Sequence, residues 1–201
     1  MPTGSSHDNM LTRARTIADF QFGPGAGAVL FPEGCEFTLS RTGRLRQVLF
    51  QGERLATLRA QDGRFTLSIV GALRLQAALP APAARVTIAA DVASFAAAGK
   101  NVFAKHVVAA DPGIHAGDEV LVVDEGDRLL ATGTAVLSGA EMLAFNYGGA
   151  VSVRQGVSAH VSGTGQSQED EADDEAAGHG DAAHRGRTPH RDHHRQRDIR
   201  L

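Results

Sequence analysis

The chain has 201 residues, 42% of them hydrophobic, with no Trp, a single Cys and a net charge of −3; that length holds one large or two small domains but leaves no room for a (β/α)₈ catalytic barrel of about 250 residues. Cys35 alone excludes an internal disulfide and any multi-cysteine zinc or iron–sulfur site, and points to a reducing compartment. The polar start MPTGSSHDNM, with no run of apolar residues long enough to cross a bilayer, predicts a soluble, cytoplasmic protein without a membrane partner.

In chain order, Leu11 to Phe20 reads as a helix and Gly23 to Gly27 as a loop. Glu36 to Leu67 alternates as strands do, with turn signals at Thr42-Gly43, Gly52-Glu53 and Asp62-Gly63, the spacing of a β-meander. Its strands fall near FTLS, RQVLF, RLATL and FTLSI, and Ala72 to Leu79 comes next as a short helix. Pro80-Ala81-Pro82 resists regular structure and sets a domain boundary with few contacts expected across it. Arg85 to Ala89 suits a strand. Asp91 is the expected N-cap of a helix ending near Ala98, and Gly99 its terminator, since glycine takes a positive φ at low cost. Val102 to Val108, Glu119 to Asp124 and Leu129 to Leu137 read as strands, Gly139 to Leu143 as one helical turn, and Ala150 to Arg154 as the closing strand. The fold class is α+β: an N-terminal α/β domain with a β-meander over residues 11–79, a small β-barrel-like domain with one main helix over 83–158, and a tail over 163–201.

From Gly163 large apolar residues almost vanish, so the tail cannot bury enough surface to offset chain entropy and is expected to be disordered. It runs from an acidic block, Glu169 to Glu175, into an Arg- and His-rich end; such histidines pick up metal incidentally rather than at a built site. Residues 1–84 carry nine Arg against six acids, residues 85–156 five basic against eight acidic, and residues 157–201 six Arg against nine acids. Any affinity for nucleic acid therefore rests on local patches.

Most candidate motifs fail. Gly99-Lys100 is not a P-loop, because Ser94 stands where the first glycine belongs, Asn101 replaces the magnesium-holding hydroxyl, and the pair ends a helix instead of opening one. Gly23-Pro24-Gly25-Ala26-Gly27-Ala28 matches a dinucleotide fingerprint in letters only, since a helix precedes it and Pro32 interrupts the segment after it. Cys35, His106 and His115 share no spacing that joins them in catalysis. Asp118, Glu119, Asp124, Glu125 and Asp127 gather at turns and read as a solvated face.

One pattern is positive. DVASFAAAGKNVFAKHVV, GDEVLVVDEGDRLLATGTAVLSG, AEMLAF and VSVRQG succeed one another in an order that resembles a PUA domain, in particular the one at the C-terminal end of archaeosine-type tRNA-guanine transglycosylases. ARTIADFQFGPGAGAVLFP resembles the small domain before it in those enzymes. The resemblance implies an RNA-binding surface on the loop after the main helix, the next strand and the last strand, which carries over to Gly99, Lys100, Asn101, Val102, Lys105 and Arg154. A glycine there would let backbone N–H groups approach phosphate while lysines supply countercharge. Asn146-Tyr147 and Gln155 depart from that pattern, where more basic residues are expected. The family's nucleophile and zinc ligands belong to its barrel, to which nothing here corresponds. The reading is thus a non-catalytic protein without cofactor or metal that binds RNA, tRNA in the first instance, as an adaptor in nucleoside modification; the alternative is a protein-interaction subunit of a separately encoded transglycosylase-type enzyme.

Overall fold

The computed structural model describes residues 4–162; the tail from Gly163, with its histidines, lies outside them. Helix α1, Gly4–Phe22, starts well before the predicted Leu11. Leu11, Ala14 and Ala18 form its buried stripe, the spacing that keeps one helical face inward. Helix α2, Ala26–Leu30, begins inside the expected loop, where the Gly27 N–H donates to Asp19 Oδ1 at 2.7 Å. Strands β1 (Glu36–Leu39), β2 (Leu45–Phe50), β3 (Glu53–Leu58) and β4 (Phe65–Leu67) form the meander, antiparallel in chain order. Ser68 then caps α3, Ile69–Ala78, by accepting the Gly71 N–H, so the helix opens three residues before the predicted Ala72.

The second sheet contains β5 (Arg85–Ile88), β6 (Val102–Phe103), β7 (Val107–Ala110), β8 (Glu119–Val123), β9 (Leu129–Ala135) and β10 (Gly149–Gly156), in the order β6-β10-β9-β8-β5-β7. Only β5 and β8 run parallel. The outermost strands β6 and β7 are joined by one 3₁₀ turn, Ala104–His106, so the sheet curls until its ends are neighbours. That turn breaks the predicted Val102–Val108 strand, because β6 pairs with β10 and β7 with β5. Helix α4, Ala93–Ala97, packs against β9 and β10; α5, Gly139–Ala144, opens on a Ser138–Glu141 capping box, and α6, Val157–Ser162, comes after β10. Asp91 does not cap α4. It lies in a 3₁₀ turn, Ala90–Val92, with no side-chain cap bond.

Strand β8 is buried along its whole length. Leu121 and Val123 face the core built from α1, α2, α3 and the meander, while Val120 and Val122 face the core inside the second sheet. A strand apolar on both faces is a shared wall. The expectation of few contacts across Pro80–Pro82 therefore fails. Polar contacts cross as well: Leu67 N–H donates to Glu119 Oε1 at 2.8 Å, Arg154 donates to that same oxygen and to Leu67 O, Thr132 Oγ1 donates to Leu67 O, and Arg64 pairs with Asp118 at 2.7 Å. Arg85, 4% exposed, reaches back to Gln76 O, Leu79 O and Ala83 O, and forward to Asp127 Oδ1.

The predicted solvated acidic face is likewise corrected, since Glu119 and Asp124 are buried. Desolvation raises the Glu119 carboxyl to about 7 against the opposing pull of the Arg154 charge, and Glu119 Oε2 has no hydrogen-bond partner among the described residues. Asp124 is held below the usual range by backbone N–H and guanidinium donors from Arg128.

Candidate nucleic-acid interface

The loop after α4 is fixed by backbone bonds. Lys100 N–H donates to Phe95 O at 3.0 Å and Gly99 N–H to Ala96 O at 2.9 Å, a Schellman closure that requires the left-handed φ of +85° at Gly99. Both amides are thereby occupied, so the expected approach of free backbone N–H groups to phosphate at this glycine is not what the geometry offers. Instead Gly99 rests against β10 where Gly156 leaves space: a Cβ on Gly156 would lie 2.2 Å from Ala97 O and 2.6 Å from Gly99 N. Asn101 Oδ1 accepts the Val153 N–H at 2.9 Å and pins the loop to the same strand.

Five of the six residues singled out in sequence, Gly99, Lys100, Asn101, Val102 and Lys105, lie together along this loop, β6 and the turn after it. Lys100, Asn101 and Lys105 are exposed, while Val102 is 4% exposed and belongs to the core. Arg154 is elsewhere engaged, on Glu119. Lys100 and Lys105 are the only lysines in the chain, and they flank Phe103.

A groove of about 230 Å³ opens here. Ile88, Val92, Ala96 and Val102 make its floor, Phe95 and Phe103 its walls, and Lys100, Asn101 and His106 its polar rim. Both aromatic walls are more than half exposed. Sequence reasoning missed both; Phe95, the one large residue in a helix of alanine and serine, was the available signal. An apolar groove lined by two exposed aromatic side chains, with a lysine at its edge, suits a flat, negatively tethered ligand.

Residues 12–82 match the family described as the patch-forming domain C2 of tRNA-guanine transglycosylase, and residues 84–157 match the PUA domain, an RNA-binding fold. The chain carries a C2 domain followed by a PUA domain. Over 153 residues it is 51% identical to the tRNA-guanine(15) transglycosylase of Pyrococcus abyssi, a match covering 76% of this chain and 26% of that protein. The chain thus spans about a quarter of the length of the curated relatives it matches. Among solved structures, a hypothetical protein from Pyrococcus horikoshii superposes with a TM-score of 0.60 at 23% identity, covering 74% of this chain and 90% of that one. A conserved PUA domain protein from Thermoplasma acidophilum gives 0.53 at 17% identity, covering 74% and 89%. At those identities the two structures attest the fold.

The C2 domain has its own basic surface. Arg13, Arg44, Arg46 and Arg59 line a groove of about 720 Å³ beside the meander. Arg59 is paired with Asp62, whereas the other three make no ion pair among the described residues. Arg44, just before β2, and Arg46, within it, are two residues apart, the signal that sequence reading passed over. Of catalytic groups there is little: Cys35 is buried with its thiol pushed up to about 11 by desolvation, and its carbonyl, not its sulfur, meets His7. Among the described residues no cluster of His, Cys, Asp and Glu could hold a metal ion, and no helix is long and apolar enough to cross a membrane.

Proposed function

We propose that this chain is a non-catalytic RNA-binding unit that engages tRNA through its PUA domain and acts as an adaptor in nucleoside modification. The observation that carries the reading is the Phe95–Phe103 groove, with Lys100 on its rim and Lys105 on the turn just after Phe103, on a domain of an RNA-binding fold. In this reading Lys100 and Lys105 neutralise phosphate, Asn101 contacts the strand, and an unstacked base enters between the phenylalanines. Gly99 and Val102 shape the loop, and Arg154 holds the last strand in place. The arginine groove of the C2 domain adds countercharge along the backbone, where shape rather than base edges is read. Because the relatives are tRNA-guanine(15) transglycosylases, tRNA is the first RNA to test. Titration of the full chain against tRNA should show binding that Phe95→Ala and Lys100→Glu each weaken; binding indifferent to both would refute the assigned surface.

A second reading, a subunit that docks on a separately encoded modification enzyme, is favoured by Phe20, which stands 89% exposed on α1. Binding of tRNA by the chain alone favours the first reading. Binding only with a partner enzyme present, lost in Phe20→Ser, favours the second.

A further inference from the structure

Another aromatic feature lies outside the groove. From Leu143 to Gly148 six consecutive residues are exposed, and within them the Phe145 and Tyr147 rings are stacked, centroids 6.0 Å apart with planes 16° from parallel. The helix before them is anchored through Met142, which is fully buried, so neither ring is needed to seat α5. The segment is nevertheless fixed at both ends. Phe145 N–H donates to Glu141 O at 3.0 Å, Gly148 O accepts the Ala104 N–H at 3.0 Å, and Gly149 stands opposite Phe103 in the β6–β10 pair. The Gly148 bond ties the rings to the 3₁₀ turn that carries Lys105.

We propose that Phe145 and Tyr147, with Lys105, form a second stacking platform that takes an unpaired nucleobase of a single-stranded RNA segment, apart from the Phe95–Phe103 groove. The inference rests on the RNA reading above. The Tyr147 ring, stacked on Phe145 and largely exposed, offers a π face that suits a base of any identity, and Lys105, on the turn bonded to Gly148, supplies charge for the phosphate that tethers it. The nearby carboxylate, Glu141, is turned towards the start of α5, where it accepts the Ser138 N–H and hydroxyl, so it does not oppose a phosphate at Lys105. An apolar protein segment would find here an exposed face beside a cation rather than a recess.

The chain supplies its own reporter, since Tyr147 is the single tyrosine and there is no tryptophan. Titrating the full chain with single-stranded oligoadenylate should quench tyrosine emission, and a blunt RNA duplex of equal charge should not. Tyr147→Ala should weaken oligoadenylate binding by about five- to a hundredfold, the range for base-stacking aromatics, without changing the salt slope. Tyr147→Phe should keep the affinity while abolishing the signal. Tyr147 is 74% exposed, so neither variant removes a core contact. Oligoadenylate bound in a retention assay with unchanged tyrosine emission would overturn the platform and leave the RNA reading standing. Equal quenching by duplex, or quenching by raised chain concentration alone, would also overturn it, the latter by identifying a contact between copies. No binding of tRNA or oligoadenylate would remove both readings together.

Discussion

At the seam between the C2 and PUA domains, Arg64, Arg85 and Arg154 each hold a carboxylate, and Arg85 and Arg154 also donate to backbone carbonyls. Around the groove, by contrast, Lys100 and Lys105 make no ion pair among the described residues and stand exposed. The difference explains how a stretch with an acidic balance presents a cationic rim. Asp111, Asp118, Glu119, Asp124, Asp127 and Glu141 all accept hydrogen bonds within the fold, so their charge is engaged by partners there. Net charge counts residues; availability depends on partners.

Four experiments put that contrast at risk. Arg154→Ala leaves Glu119 buried without its counterion and should cost about 3 kcal/mol in urea unfolding, whereas Lys100→Ala should leave the midpoint at the parent value. Similar shifts for both would erase the distinction between seam and rim. Gly156→Ala sets a Cβ against three backbone atoms of Ala97 and Gly99 and should cost about 2 kcal/mol, displacing the Gly99 loop so that tRNA affinity falls although Lys100 is intact. Unaltered affinity would show that the loop is not held by that close approach.

The third experiment varies pH. The Glu119 carboxyl is raised in the folded chain to about 7, so its contribution is fully present below its ordinary value of 4.5 and is lost as pH rises through about 7. The parent should therefore be about 1 kcal/mol less stable at about pH 8 than at about pH 6, and Glu119→Gln should flatten that slope. The smallest expected effect on the fold belongs to Lys100→Glu: an unchanged unfolding midpoint, weaker tRNA binding, and a log–log salt slope reduced by about 0.7 to 0.9. Arg128→Gln, which removes an exposed cation elsewhere without setting a like charge beside buried Asp124, is the control and should leave tRNA binding near the parent value.

Local chemistry explains what could be read from the sequence. The meander was legible in turn residues at regular intervals, and the Gly99 stop in the conformational need at a helix end; both are decided within a few residues. The loop carrying Lys100 was legible for the same reason. Glu119 was misread because its neighbours in sequence are turn residues, while the groups that bury it, Leu67 and Arg154, come from far along the chain. The strand Glu119 to Asp124 was legible without alternation: Val120 to Val123 are all apolar because both faces of β8 are covered, one by each core. Arg154 was assigned to RNA on a resemblance, and only the fold shows which carboxylate it meets.

Arg85 gives the connection between the halves a mechanical character. One guanidinium captures three carbonyls on and just after α3 and the Asp127 carboxylate beyond β8, so the proline-containing segment behaves as a splinted joint rather than a hinge. The arginine groove and the phenylalanine groove are consequently carried at a set distance and angle. An RNA spanning both would have to conform to that spacing, and the protein would act on its ligand as a gauge, accepting a backbone of the right curvature and refusing one that cannot reach.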